Sequence, residues 1–480
     1  MDRKIFVNYI YNFLYQVIKI VVPFFLVPYT MGHLGESVLG ISDFAINIAS
    51  WFIIFGILGI STYGIREIGK VRDDRDHLSR TFFEIWSVQV INMCVVLILY
   101  VLYTHFLVQE NKIIYYLYCC LIVSSAIDIS WFYSGIENFR IVSLRNTGVK
   151  LCGVILIFLL VKTPADLWKF VLINTGTDLI GQALTYLPLG NYVDFRKIKI
   201  KDAYSHHLAA TFMLFIPTIA INVYTLLDQT LLGAMIEDKA YVALYKTSLN
   251  FVKTFLFFIT SIGSVVMPRI ANVFAKRSSH EEVNRYISST FNLALIMAIP
   301  MIVAMACVSP YFFPWYLPGQ YPIIIRLVQT VCPIIILISI SDVFGNQYLV
   351  PTGRTKQFTC SHILAAIVNV IVNLLLIPKL QAVGTAIANV CAEATVVLVQ
   401  WHFVKNDIEI HSFRTFIKAL VSAAVMGVVV VLIGNFFGAR IIGNLIQAVC
   451  GITVYVLMML ILKEETLHNL LDRFVFKRAK

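Results

Sequence analysis

The chain has 480 residues, 59% of them hydrophobic and 14% charged, with a mean hydropathy of +0.80 and a formal net charge of +11. Soluble domains are nearer half apolar and a quarter charged, so this composition excludes a soluble enzyme or binding module and points to a bilayer. The basic surplus belongs to membrane topology, and no soluble basic module is present to bind nucleic acid.

Apolar runs of about 20 residues cross a bilayer as helices. Such runs fall near 7–29, 38–64, 82–108, 113–133, 146–163, 166–189, 207–235, 242–268, 288–308, 322–345, 357–377, 383–404, 413–434 and 440–462. They predict an all-α integral membrane protein of about 14 transmembrane helices. The short alternating segments of a β-barrel are absent from the sequence.

The first span follows Asp2, Arg3 and Lys4; its apolar run is too long for a cleaved leader and has no small-x-small site, so it reads as a retained helix. It carries Asn8, Asn12, Gln16 and Lys19 at i, i+4, i+8 and i+11, one polar stripe. The second span carries Asp43, Asn47 and Ser50 at i, i+4 and i+7. After it come Arg66, Lys70, Arg72, Arg75 and Arg80, whereas the next connection holds only Lys112. Arg196, Lys197, Lys199 and Lys201 are likewise followed by a connection with only Lys239. Basic residues favour the cytoplasmic side of short loops. The alternation therefore predicts a multi-pass protein with both termini cytoplasmic.

Enzyme motifs fail on inspection. Gly64 to Lys70 fits G-x-x-x-x-G-K, but Val71 stands where a phosphate loop needs Ser or Thr, and the segment follows an apolar span instead of a strand. Asp73, Asp74 and Asp76 read as a solvated loop. His206-His207 has no further ligand at metal spacing. The nine Cys lie almost all within spans and form neither a metal pattern nor a disulfide framework. No cofactor, metal or catalytic residue is expected, and the longest connections are too short to fold as domains.

Charged residues inside spans are costly and mark candidate functional sites. The seventh span carries Asn222, Thr225 and Asp228. The eighth carries Lys246, Asn250 and Lys253 on one face, and the tenth Arg326 and Gln329 near its outer end. Two cations on one helix face need anionic partners, and an anionic substrate would supply them. Asp43 reads equally as an ion-pair partner and as a functional group. Asp128 with Arg140, and Asp342 with Arg354, read better as structural pairs near the inner face. The aromatic, Pro-rich connection from Ser309 to Pro322 reads as an interfacial belt.

The polar pairs repeat in order. Asp43, Asn47 and Ser50 match Lys246, Asn250 and Lys253; Asp128 and Arg140 match Asp342 and Arg354; Asn174 and Asp178 match Asn389 and Glu393. Each partner lies about 200 residues downstream, six spans later, as in transporters with parallel repeats. The expected division is a lobe over 1–205 (spans 1–6), a second, pseudo-symmetric six-helix lobe over 206–405 (spans 7–12), and two extra helices with a cytoplasmic tail over 406–480.

At these residues the chain resembles the Wzx-type polysaccharide repeat-unit flippases of the MOP superfamily, which also holds the MATE drug antiporters and lipid II flippases. The resemblance is carried by the opening spans through GESVLGISDF, by DISWFYSGIENFRIVSLRN, by IPTIAINVYTLLDQTLLG through TSIGSVVMPRIANVFAK, and by VFGNQYLVPTGRTKQF and VGTAIANVCAE. It implies two lobes alternating access around a cationic cavity in a bacterial cytoplasmic membrane. It implies an undecaprenyl-diphosphate-linked oligosaccharide as substrate, flipped from the inner to the outer leaflet, with membrane lipids around it and a polysaccharide polymerase as a further partner. Lys19, Lys246, Lys253 and Arg326, with Asn12, Gln16, Asn47 and Asn250, would bind substrate; Asp43 and Asp228 would balance charge or couple ions. The alternative is a proton- or sodium-coupled multidrug antiporter of the same fold, against which the four cations argue. A polymerase or glycosyltransferase would be expected to show a large outer loop, which is lacking.

Overall fold

The computed structural model describes residues 21–195, 203–275, 280–317, 319, 321–410 and 412–466. Among these residues all regular structure is helical, and ten helices are long and apolar enough to cross a membrane. A bilayer offers no water to the backbone, so each N–H and C=O must pair within the protein, and a long helix achieves this alone. The protein is an all-α integral membrane protein. It forms two compact units by contact. The first runs to Gly233 and includes Glu237–Ala243; the second takes Ala234–Ile236 and the chain from Leu244.

In the first unit, α1 (Val21–Leu34) leads into α2 (Glu36–Ile57) and α3 (Ile60–Val71). The run expected as the second span breaks where Leu58 and Gly59 take φ of 49° and 82°, and α3 continues beyond it as a helix through Arg66 and Lys70, which were expected in a connection. Next, α4 (Arg75–Phe106) starts on Asp74, whose carboxylate accepts from the N–H groups of Asp76 and His77 at 2.9 and 3.1 Å. That gives the acidic run a capping role. The fourth span is three short helices, α5 (Lys112–Leu117), α6 (Cys119–Ala126) and α7 (Ser130–Gly135). At its last break Asp128 accepts the N–H of Ser130 at 2.8 Å; the Arg140 side chain lies outside the described residues. Then come α8 (Phe139–Leu160), α9 (Leu167–Leu184) and α10 (Ala203–Met235).

The core of this unit joins α3, α4 and α7 through Tyr63, Phe82, Phe83, Trp131, Phe132 and Tyr133. Gly64 lies so close to Trp131 that a Cβ there would stand 2.5 Å from the ring. The glycine of the G-x-x-x-x-G-K lookalike is thus a packing residue.

The second unit holds α11 (Ala240–Ala275) beyond its first turn and α12 (His280–Tyr316). The latter runs on through Pro300, Pro310 and Pro314, so Ser309–Tyr316, read as part of a connection, is helical. After it come α13 (Tyr321–Val331), α14 (Ile334–Phe344) and a π turn over Gly345–Leu349. Next, α15 (Thr355–Leu380) and α16 (Ala382–Val404) form a hairpin about Gln381, at φ 51°. The last two helices, α17 (Phe413–Phe437) and α18 (Ile441–Ile461), pack with α12 around Ile296, Ile299, Met426 and Tyr455. Tyr455 donates its hydroxyl to the Ile296 carbonyl at 2.7 Å, and Trp315 donates to Asn444 at 2.6 Å. On α18 the opposite stripe, Ile442, Leu445, Val449 and Ile452, is exposed, as a lipid-facing surface should be.

One expected pair is corrected. Arg354 bonds Asp407, and Asp342 instead accepts from Asn346 and Gln347 at 2.8 and 2.9 Å. The π turn after α14 is the cause: its wider winding brings the residue five positions on, Gln347, alongside Asp342.

Candidate functional site

Asn8, Asn12, Gln16 and Lys19 lie outside the described residues, as does the Asn222 side chain. On α2, Asp43 is half-buried and Asn47 buried, at 2% exposure. Asn47 does not face open space. Its amide donates to the Thr230 hydroxyl at 2.7 Å and to the Leu226 carbonyl at 3.2 Å, both on α10. Trp51, one turn on, donates to the same hydroxyl at 2.9 Å. Asp228 sits on the gripped turn and is fully buried. The structure thus brings the polar faces of α2 and α10 together within the first unit. Ser50 turns back on its own helix, donating to the Ile46 carbonyl.

On α11, Lys246 and Lys253 are half-buried and Asn250 is exposed. Their spacing keeps all three on one side of the helix. Arg326 is exposed on α13, and Gln329, one turn further, donates to the Ala306 carbonyl of α12 at 3.0 Å. Placing ammonium groups along a hydrophobic span is costly, and such groups ordinarily face a protein interior or a wet cavity.

A polar cavity lies elsewhere in the first unit, between α8 and α9 with Leu26 of α1 at its edge. It holds about 150 Å³, enough to admit ordered water. From α8 it is lined by Arg145, Asn146 and Lys150, and from α9 by Asn174, Asp178 and Gln182. Of the residues put forward from the sequence as binding substrate, the described ones, Asn47, Lys246, Asn250, Lys253 and Arg326, do not line it. Arg145 bonds Gln182 across the cavity and donates to Ser130 at 3.1 Å. Asn174 and Asp178 enter the sequence reading only as half of a repeat; with Gln182 they make an i, i+4, i+8 stripe that faces Arg145, Asn146 and Lys150 across the cavity. The signal in the sequence is the pair of polar faces on two consecutive, short-linked spans, which are costly to leave against lipid.

Their repeat counterparts behave differently. Asn389 and Glu393 are buried on α16 at 1% and 3% exposure, and Asn369 and Asn373 are fully buried on α15. Across the same hairpin Gln400 donates to Ser361 at 3.3 Å. The second unit therefore has a closed polar seam where the first has an opening.

Residues 5–274 match the family model described as polysaccharide biosynthesis protein, and residues 214–375 match the MatE model. The chain is 22% identical over 414 residues to the "Putative O-antigen transporter" of Escherichia coli (strain K12), covering 83% of this chain and 96% of that one. Its likeness to the protein of the same description from Shigella dysenteriae is 26% over 307 residues, covering 62% and 74%. Among solved structures, the lipid II flippase MurJ in an inward closed conformation superposes with a TM-score of 0.75 at 15% identity, over 95% of this chain and 98% of that one. An inward-facing MATE family transporter of the MOP superfamily gives 0.58 at 12% identity, over 81% and 97%. The chain belongs to the polysaccharide biosynthesis protein family and has the fold of the MOP-superfamily membrane transporters.

Proposed function

We propose that this protein is a transporter, not an enzyme, and that it flips an undecaprenyl-diphosphate-linked oligosaccharide repeat unit across the bacterial cytoplasmic membrane. The direction is from inner to outer leaflet, by alternating access, for assembly of a surface polysaccharide such as a capsule, O-antigen or exopolysaccharide. The carrying observation is the pair Lys246 and Lys253 on one face of α11 inside a helix of 36 residues. A diphosphate headgroup is the partner such a face suits. The family match and the relatives described as O-antigen transporters support the same reading.

In this account Lys19, Lys246, Lys253 and Arg326 attract the diphosphate or acidic sugars, Asn12, Gln16 and Asn250 add hydrogen bonds, and Asp43 and Asp228 balance charge or couple ions. Asn47 acts by holding α2 on α10. The cavity lined by Arg145, Lys150 and Asp178 would give the first lobe a wet surface for sugar hydroxyls. Spans 1–6 and 7–12 serve as the two lobes, with α17 and α18 as an addition. Two negative charges moved outward gain about 4–5 kcal/mol from a 100 mV inside-negative potential, so the membrane potential favours export. Both termini are cytoplasmic in this orientation.

A multidrug antiporter of the same fold is the competing reading, favoured by the MatE match over 214–375. Cationic drugs suit an acidic cavity with few competing cations, which Lys246 and Lys253 oppose. The test is a strain lacking the gene. Lipid-linked repeat units should accumulate while surface polysaccharide is lost, and the intact gene should reverse both. Unchanged lipid-linked sugars and polymer would overturn the flippase reading in favour of drug and ion transport.

A further inference from the structure

His207 has a use that metal spacing does not reveal. It sits in the second turn of α10, at 7% exposure, with its ring between two other helices. Its Nδ1 lies 2.8 Å from the Tyr63 hydroxyl of α3, and its Nε2 lies 3.1 Å from a carboxylate oxygen of Glu84 on α4. The Tyr63 and His207 rings meet edge to face, with centroids 5.6 Å apart. All three helices belong to the first unit, at the end that carries Arg66, Lys70, Arg72, Arg75 and Arg80.

The neighbouring charges form two groups. On α4, Arg80 donates to the second oxygen of Glu84 at 2.8 Å. On α3, Arg66 stands 5.7 Å over the Tyr63 ring and pairs with Glu67 at 3.0 Å, and Lys70 also pairs with Glu67 at 2.9 Å. Glu84 is thus the carboxylate that meets the imidazole directly.

This geometry accepts a proton without losing a bond. In the neutral ring, Nε2–H donates to Glu84 while the Tyr63 hydroxyl donates to Nδ1. In the protonated ring both nitrogens donate, to Glu84 and to the Tyr63 oxygen. The second state adds a charge-assisted bond to a carboxylate in a dry setting. We propose that Tyr63, His207 and Glu84 form a proton-binding site whose occupancy sets how firmly the start of α10 is held to α3 and α4. The inference does not depend on which molecule the protein transports.

Hydrogen–deuterium exchange on the full-length protein in lipid nanodiscs tests it. After correction for the intrinsic pH dependence of exchange, the first turns of α10 should be protected about fivefold more at pH 6 than at pH 8, the scale of one ion pair. His207→Gln keeps a donor toward Glu84 but cannot take a proton, and should abolish the difference. Glu84→Gln keeps the hydrogen bond and removes the charge, and should shrink it; its milder chemistry serves if His207→Gln folds poorly. Equal protection at both pH values in the wild type, or a full difference retained in either folded variant, would overturn the proposal.

Discussion

Asn47 and Thr230 share a hydrogen bond of 2.7 Å that ties α2 to α10, and the Thr230 hydroxyl also accepts from Trp51 while donating to the Leu226 carbonyl. One hydroxyl therefore serves two donors from the neighbouring helix. Thr230→Val should destabilise the protein by about 1–3 kcal/mol, since it strands two buried donors. Asn47→Ala should cost less, and the double variant should cost less than the two added together. Thermal unfolding of the purified protein in detergent measures all three. Full additivity would mean that the two residues act separately.

Gly40 of α2 approaches the backbone of the turn between α10 and α11. A Cβ at Gly40 would run into the Lys239 carbonyl, and backbone cannot yield as a side-chain tip can. Gly40→Ala should sharply lower the yield of folded protein in membranes. Gly32→Ala, where nothing lies within 4 Å, should leave it unchanged. Equal yields would show that this turn is not held where the structure has it.

Asp166 closes the connection between α8 and α9. Its carboxyl is held well below the usual carboxylate range, first by the ion pair with Lys169 at 2.6 Å, then by the N–H groups of Lys162 and Thr163. A depressed native value means that its stabilising contribution is present at neutral pH. The contribution is lost as pH falls below about 4, where the unfolded carboxyl protonates first. Exchange protection of residues 162–169 should drop in acid, and Asp166→Asn should lower it already at pH 7. Unchanged protection in the variant would deny the cap its role.

Asp178→Asn removes a charge from the polar cavity at constant size, and Arg145→Gln removes one while leaving a shorter polar side chain. If the cavity contacts substrate, each should lower transport several-fold with protein level intact, measured by surface polymer per unit of protein in complemented cells. Full polymer in both would confine the cavity to holding water.

Much of the fold was legible because bilayer spans are long apolar runs, and α4, α15, α16, α17 and α18 cover the expected stretches. The breaks were not. Nothing in hydropathy distinguishes Leu58 and Gly59 from the apolar residues around them, and α12 continues as a helix past Pro310 and Pro314, which lie in the stretch expected as a connection. Side-chain partners were the least legible. Asp342 and Arg354 looked like a pair because their spacing echoes Asp128 and Arg140, yet the π turn gives Asp342 to Asn346 and Gln347. The partners of His207, Tyr63 and Glu84, lie more than a hundred residues away in sequence, where spacing along the chain carries no sign of them.

In the proposed function Lys246 and Lys253 meet an anionic lipid-linked sugar. The most direct measurement is the flipping of undecaprenyl-diphosphate-linked oligosaccharide in liposomes reconstituted with wild type, Lys246→Ala and Lys253→Ala. Wild type should flip the lipid, faster with an outward-driving potential, and each variant should flip it at least about tenfold more slowly, the loss of one charge-assisted contact. Wild-type rates in both variants, or no flipping by the wild type, would contradict it.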